Sequence, residues 1–315
     1  MWVFVAYSRE EAAPADFEWA DACLALGGDG TTLRAANAAP RGMLLVGVNT
    51  DPQRSVGKLC AITIGPNAPQ DDAAGFVAAL LSGSCREKRL PRLRVAIHAT
   101  ESATGSGGDE GGGGEDSRAP RVLHAINECF IGEADPSRPL DVELSIDGGP
   151  WALWRSSGAI ISTQLGSGAW MRNAFALRKP QVAAVLRAAK LHRPDDELSP
   201  GSAELVSEIT EMANSSLLAH PDQLALQFLV REAAARAASI HVNGADGGGA
   251  GGGGGDASGS HCAHGFGRRV RVRPSGWHVV LSIDGLPPTA LPSGSVIEMA
   301  VDPSQEGWLR TVEPL

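Results

Sequence analysis

Residues 27–31 read Gly-Gly-Asp-Gly-Thr, which sets a carboxylate, Asp29, among glycines where a phosphate-binding turn is expected. Gly28 and Gly30 let the backbone come close to a ligand. The exposed N–H groups of a loop entering a helix attract anions, and Thr31 stands near that helix start. An Asp at such a place repels a polyphosphate through its own charge. It therefore needs a hydroxyl whose proton it can accept, or a Mg²⁺ ion held against the phosphates, and both belong to phosphoryl transfer. Gly-Gly-Asp-Gly is also ordinary turn composition, so the tetrapeptide alone leaves a plain turn open.

Asn127 and Glu128 follow an apolar stretch, residues 122–126, and stand where a strand ends. A carboxylate beside an amide suits hydrogen bonds to ribose hydroxyls and a base edge, although a solvated turn has the same composition. Residues 155–170 pass from an apolar strand into a turn of small residues and then into a helix ending near residue 176. Small side chains there leave backbone donors open to a nucleotide, and Trp170 can offer a flat face to a base or nicotinamide. A tight turn with Trp170 in the core is the alternative. His261-Cys262-Ala-His264 lacks the second Cys pair of a tetrahedral zinc site. Gly57-Lys58 is not part of a Walker loop, and no Gly-x-Gly-x-x-Gly follows the first apolar stretch. Arg269, Arg271 and Arg273 alternate with Val270 and Val272, which puts the three arginines on one strand face, read as a solvated edge.

These residues need elements to position them. Residues 1–90 alternate short apolar strands (2–6, 22–26, 43–49) with helical stretches (31–39, 71–81), the pattern of an open, Rossmann-like α/β sheet. Residues 91–300 are mainly strand-like, with runs at 93–98, 122–127, 142–147, 270–273 and 277–284, and predict a β-rich, sandwich-like second domain. Residues 301–315 read as a tail. Two glycine-rich segments, 105–115 and 247–259, cannot form a core and are expected to loop out between strands. Residues 181–191 and 203–218 predict helices packed on a sheet or against a partner subunit.

Composition narrows the partners. The 315 residues are 43% hydrophobic, enough for two domains with a real core, and 27 Lys and Arg against 36 Asp and Glu give a net charge of −9. That balance argues against non-specific binding to nucleic acid or an anionic membrane surface. No apolar run approaches the roughly 20 residues of a membrane span. Five cysteines without a Cys-x-x-Cys pair fit free thiols in a reducing compartment. Glu10, Glu11 and Asp16 do not suit an acid-poor transit sequence, so a soluble intracellular protein is expected.

Taken in order, these motifs resemble the NAD kinase family and, within it, the mitochondrial branch. The Gly27–Thr31 motif is similar to the family's phosphate-site signature, and residues 47–60 to a segment distinctive of that branch. Asn127-Glu128, residues 147–158 and residues 163–170 resemble the nucleotide-binding motifs, while Leu226-Gln-Phe-Leu-Val-Arg-Glu232, Ile283-Asp-Gly285 and Leu309-Arg-Thr-Val312 recur in similar order. The resemblance spans nearly all of the chain outside the two glycine runs.

The resemblance implies ATP-dependent transfer of a phosphoryl group to the 2′-hydroxyl of the adenosine ribose of NAD, with Mg²⁺ or another divalent cation. Asp29 would be the catalytic base. Gly28, Gly30 and Thr31 would border the phosphates. Asn127, Glu128, Arg155, Ser157, Thr163, Gly168, Ala169, Trp170 and Asn173 would hold the dinucleotide. It also implies a mitochondrial address and a homodimer, with the helix at 203–218 a candidate interface. Three departures stand out: Ser157 replaces an Asp usual in the family, residues 163–170 replace its usual Thr-Pro-Thr-Gly-Ser-Thr-Ala-Tyr turn, and the stretch before residue 26 is shorter than the family's first strand-helix unit. The readings left beside it are another kinase with a Gly-Gly-Asp-Gly element, such as a lipid kinase or phosphofructokinase, and a non-catalytic nucleotide-binding paralogue. Retention of Asp29 is the argument against the paralogue.

Overall fold

The computed structural model describes residues 5–8, 14–65, 69–98, 119–192, 202–216, 222, 224–235, 263–304 and 307–314. The first part of the chain forms β1 (Ala22–Leu26), α1 (Asp29–Ala38), β2 (Leu44–Asn49), β3 (Cys60–Thr63), α2 (Gln70–Leu81) and β4 (Cys85–Leu90). Strand β2 is its centre, pairing in parallel with both β1 and β3. Every residue of β2 after Leu44 is buried, as a strand covered on both faces requires. Leu45 packs with Ala36 of α1 on one side, and Val46 and Val48 pack with Phe76 of α2 on the other.

The second part begins with β5 (Leu93–His98), β6 (Arg121–Ala125), β7 (Glu128–Glu133), β8 (Leu140–Ile146), β9 (Ala152–Ser156) and β10 (Gly158–Ser162). Three helices follow, α3 (Trp170–Phe175), α4 (Lys179–His192) and α5 (Ala203–Ser216). The remaining strands are β11 (Leu226–Arg231), β12 (Ala234–Ala235), β13 (His264–Gly267), β14 (Arg269–Ser275), β15 (Val279–Ile283), β16 (Thr289–Ala290), β17 (Val296–Val301) and β18 (Leu309–Pro314). Two sheets form, ordered β13-β11-β10-β7-β15-β16 and β12-β9-β8-β14-β17-β5-β6. Alternate residues from both, among them Val95, Val142, Val272 and Met299 facing Ile131, Ile161, Phe228 and Leu281, merge into one core. This is sheet-on-sheet packing.

Several expectations change on contact with the structure. Residues 309–314 are not a tail: as β18 they lie between β2 and β4, parallel to the former and antiparallel to the latter. Buried Leu309 and Val312 complete the α/β core. Residues 5–8 carry no strand, and residues 1–4 of the expected first strand lie outside the described residues. Helix α1 starts at Asp29, two residues before the predicted start, so the carboxylate sits within its first turn. The arginines of β14 do not mark an edge, because β14 lies between β8 and β17. They occupy the outer face of an interior strand, where Arg271 and Arg273 stack over Trp151. Both glycine-rich segments, His261 and Cys262 lie outside the described residues.

Candidate active site

The phosphate-type turn is built by close packing against the loop that leaves β2. Gly28 caps α1, and a Cβ at this position would collide with the Ser55 side chain. Because the backbone passes so close, Ser55 Oγ accepts the Asp29 N–H at 3.0 Å. The Asp29 carboxylate in turn accepts three donors from that loop: Leu59 N–H at 2.8 Å on Oδ1, and Gly57 N–H at 3.1 Å and the Ser55 hydroxyl at 3.3 Å on Oδ2. A carboxylate has about four lone-pair sites, so one remains, on Oδ1. The charge is therefore not stranded when no ligand is bound, which corrects the expectation that only a hydroxyl or a metal ion could account for it. Nothing in the isolated motif signalled residues 55–59 as its partner; only the resemblance singled out that stretch.

Gly30, one residue on, is exposed and has open space where a Cβ would stand. It lines a cavity of 380 Å³ together with Arg34, Asp284, Gly285, Leu286, Pro287 and Pro288. The start of α1 and a cation one turn along it thus border a recess walled by Leu and Pro.

Asn127 and Glu128 lie at the bend between β6 and β7, and both are buried, each 8% exposed. The turn after β10 holds this bend from one side. Thr163 N–H donates to the Asn127 carbonyl at 2.8 Å, and the Thr163 hydroxyl donates to the Ile126 carbonyl at 2.6 Å. Gly166 presses so close that a Cβ there would overlap the Asn127 carbonyl. From the other side comes Asp284, just past β15, which accepts the N–H groups of Ile126 (2.7 Å), Asn127 (2.9 Å) and Glu128 (3.1 Å). Glu128 Oε2 has no hydrogen-bond partner among the described residues. Burial, and secondarily the Asp284 charge, push the Glu128 carboxyl up to about 7.

The other residues from the sequence are distributed as follows. Ser157 sits at the bend joining β9 to β10, its hydroxyl buried without a partner among the described residues. Gly168 receives the Lys58 ammonium on its carbonyl at 3.5 Å, so the Asp29 loop and the 163–170 turn meet there. Ala169 precedes α3, and Trp170 opens it, 37% exposed, with its ring 5.0 Å from Phe130. Trp170 is thus neither wholly core nor wholly free. Asn173 is exposed on α3. Thr31 lies one turn into α1, donating its N–H to the Gly28 carbonyl. Arg155 stands on the exposed face of β9, ion-paired with Asp141 at 3.1 Å.

No family model matches the chain. It is 31% identical over 328 aligned positions to the protein of Rattus norvegicus named NAD kinase 2, mitochondrial, covering 96% of this chain and 70% of that one. The protein of the same name from Homo sapiens is also 31% identical, over 96% of this chain and 67% of its own length. The NAD kinase of Thermobifida fusca matches a shorter part, 33% identical over 146 residues, 46% of this chain and 38% of its own. Among solved structures, yeast NADH kinase complexed with NADH superposes with a TM-score of 0.52 at 15% identity, over 94% of this chain and 62% of that one. An NAD kinase from Archaeoglobus fulgidus in complex with ATP gives 0.50 at 15% identity, over 93% of this chain and 78% of that one. At such identity these two structures speak for the fold.

Proposed function

The chain belongs to the NAD kinase family, and from that membership we propose how it works: it moves the terminal phosphoryl group of ATP onto the 2′-hydroxyl of the adenosine ribose of NAD, giving NADP and ADP. The observation that carries the reading is the meeting of two binding elements. The glycine-lined start of α1 borders the recess at Gly30 and Arg34, and the buried Asn127–Glu128 bend adjoins the same recess through Asp284. Donor phosphates suit the former, where the exposed Gly30 backbone and the Arg34 side chain stand at the positive end of the helix. The dinucleotide suits the latter, along the 163–170 turn.

Asp29 accepts the proton of the 2′-hydroxyl as that oxygen forms its bond to phosphorus and the bond from phosphorus to the ADP oxygen breaks. Its three loop contacts hold the carboxylate in place and leave one Oδ1 lone pair as the acceptor. Because those contacts also satisfy its charge, Asp29 alone does not separate a kinase from a nucleotide-binding protein; family membership does. Among the described residues no group of three or more His, Cys, Asp or Glu is placed to hold a metal ion. A Mg²⁺ ion, if used, would be brought by the ATP phosphates, whose charge it would offset.

The test is to incubate the chain with NAD, ATP and Mg²⁺ and follow NADP by a specific cycling assay, beside Asp29→Asn. Wild-type turnover with a loss of about 10²-fold or more in the variant is expected. Absence of NADP in both removes the kinase reading, and equal turnover removes the role of Asp29. The mitochondrial branch of the relatives and the free thiols Cys23, Cys60, Cys85 and Cys129 support a mitochondrial address. Exposed Val185 on α4 and Met212 on α5 support a homodimer through those helices. A fluorescent fusion outside mitochondria, or a light-scattering mass of one chain, would remove these two readings respectively.

A further inference from the structure

The geometry points to Asp284 as a positioning residue that fixes the Asn127–Glu128 bend in register with the helix carrying Asp29. Its carboxylate is fully engaged, with Ile126 N–H and the Asn37 side-chain amide on Oδ2 and the N–H groups of Asn127 and Glu128 on Oδ1. Asn37 belongs to α1, two turns beyond Asp29, and the same amide also donates to the Leu33 carbonyl at 2.9 Å. One side chain therefore ties three consecutive backbone N–H groups of the dinucleotide bend to the phosphate helix. The backbone closes the clasp, since Asp284 N–H donates to the Glu128 carbonyl at 3.1 Å.

This arrangement is held under strain. Asp284 has φ 48°, a left-handed conformation that is unfavourable for most residues and that Asp and Asn tolerate best. A bend whose three N–H groups are held by one carboxylate, itself tied to α1 by a fourth donor, is set to one geometry before any ligand arrives, which is what a site that must align a hydroxyl with a phosphorus atom needs. The inference rests on the kinase reading above and adds to it a residue at the wall of the recess whose carboxylate acts through the bend and α1.

Asp284 also acts through charge. The ionisable groups packed about Glu128 are Asp284 on the β15 turn and the buried Cys129 thiol on β7, with Arg92 attracted to Asp284 from beyond it. Burial pushes the carboxyls of both Asp284 and Glu128 up, but four donors offset this at Asp284 while Glu128 Oε2 has none among the described residues, so the proton favours Glu128 over Asp284. Removing the Asp284 charge lets Glu128 ionise at lower pH.

The test is Asp284→Asn, which keeps the left-handed backbone comfortable and replaces one acceptor oxygen by an NH₂ facing N–H donors. We expect KM and calorimetric Kd for NAD to rise about tenfold or more while KM for ATP stays within about twofold. The inflection attributed to Glu128 in the pH profile of kcat/KM should move down by about one pH unit. Asn37→Ser cuts the link from Asp284 to α1, along with the amide's bond to the Leu33 carbonyl within the helix, and should lower kcat severalfold with the Kd for NAD kept. The inference is overturned if NAD and ATP constants worsen together, or if NAD binding and the pH profile of Asp284→Asn match wild type. The Kd measurement needs no turnover, so a wild type that makes no NADP overturns the kinase reading and leaves this test standing.

Discussion

A glycine can be required by the fold or by a ligand, and the two can be told apart residue by residue. At Gly28 the fold requires it, because a Cβ would strike Ser55. At Gly30 nothing lies within 4 Å of a built Cβ, and the residue sits inside α1. Ala is favoured over Gly within a helix by about 0.8–1.0 kcal/mol. Gly30→Ala is therefore expected to leave the melting temperature unchanged or raise it slightly, while KM for ATP rises severalfold because the methyl group stands where phosphates approach. A lowered melting temperature, or an unchanged KM for ATP, would place the need for glycine elsewhere. The residue types of this site were legible in the sequence: Asp29 among glycines, Asn127 beside Glu128, Trp170 after small residues. Their environments were not. Asp29 is held by Ser55, Gly57 and Leu59 through contacts across 26 to 30 positions, and the buried setting of Glu128, with its unpartnered oxygen, includes a contact to Asp284 across 156; no local pattern encodes either.

At the scale of elements, the site is a set of turns pressed against one another, and its precision comes from their close approach. The 163–170 turn is fitted to the Asn127–Glu128 bend through Thr163 and Gly166. Gly166→Ala forces a Cβ into the Asn127 carbonyl, so the bend must shift. KM for NAD should rise about tenfold or more, with a melting temperature lower by several degrees. Retention of wild-type KM would mean that the bend does not set dinucleotide binding. The elements were readable over β1, β2 and α2 as apolar runs of strand or helix length, and over β5 and β8 as apolar residues at every second position. The outward arginines of β14 misled because an interior strand with one wet face has the same alternation as an edge; only pairing to β8 and β17 separates the two. Arg92 shows a further limit. It is buried and donates to the Ala36 carbonyl near the end of α1 at 3.1 Å, a bond joining segments 56 positions apart.

For the whole molecule, the telling feature is β18. Leu309 and Val312 complete the cores on both faces of the first sheet, and Arg310 pairs with Glu87 at 2.8 Å across to β4. Removing residues 309–315 takes a strand from between β2 and β4 and exposes apolar surface on both helical layers. That variant should lose the cooperative thermal transition of the α/β part and accumulate in the insoluble fraction; a soluble product with an unchanged melt would show that β18 is dispensable. No local pattern signals this return, because six residues of ordinary strand composition carry no record of which sheet they join. The consequence reaches into synthesis. Since β18 follows every strand of the sandwich, the ribosome delivers β1, β2, β3 and β4 long before the piece that lies between them. The first-made half must wait, with two strand edges unsealed, while the last-made half matures. In a nascent chain the Asp29 carboxylate would thus appear well before its supporting sheet can close.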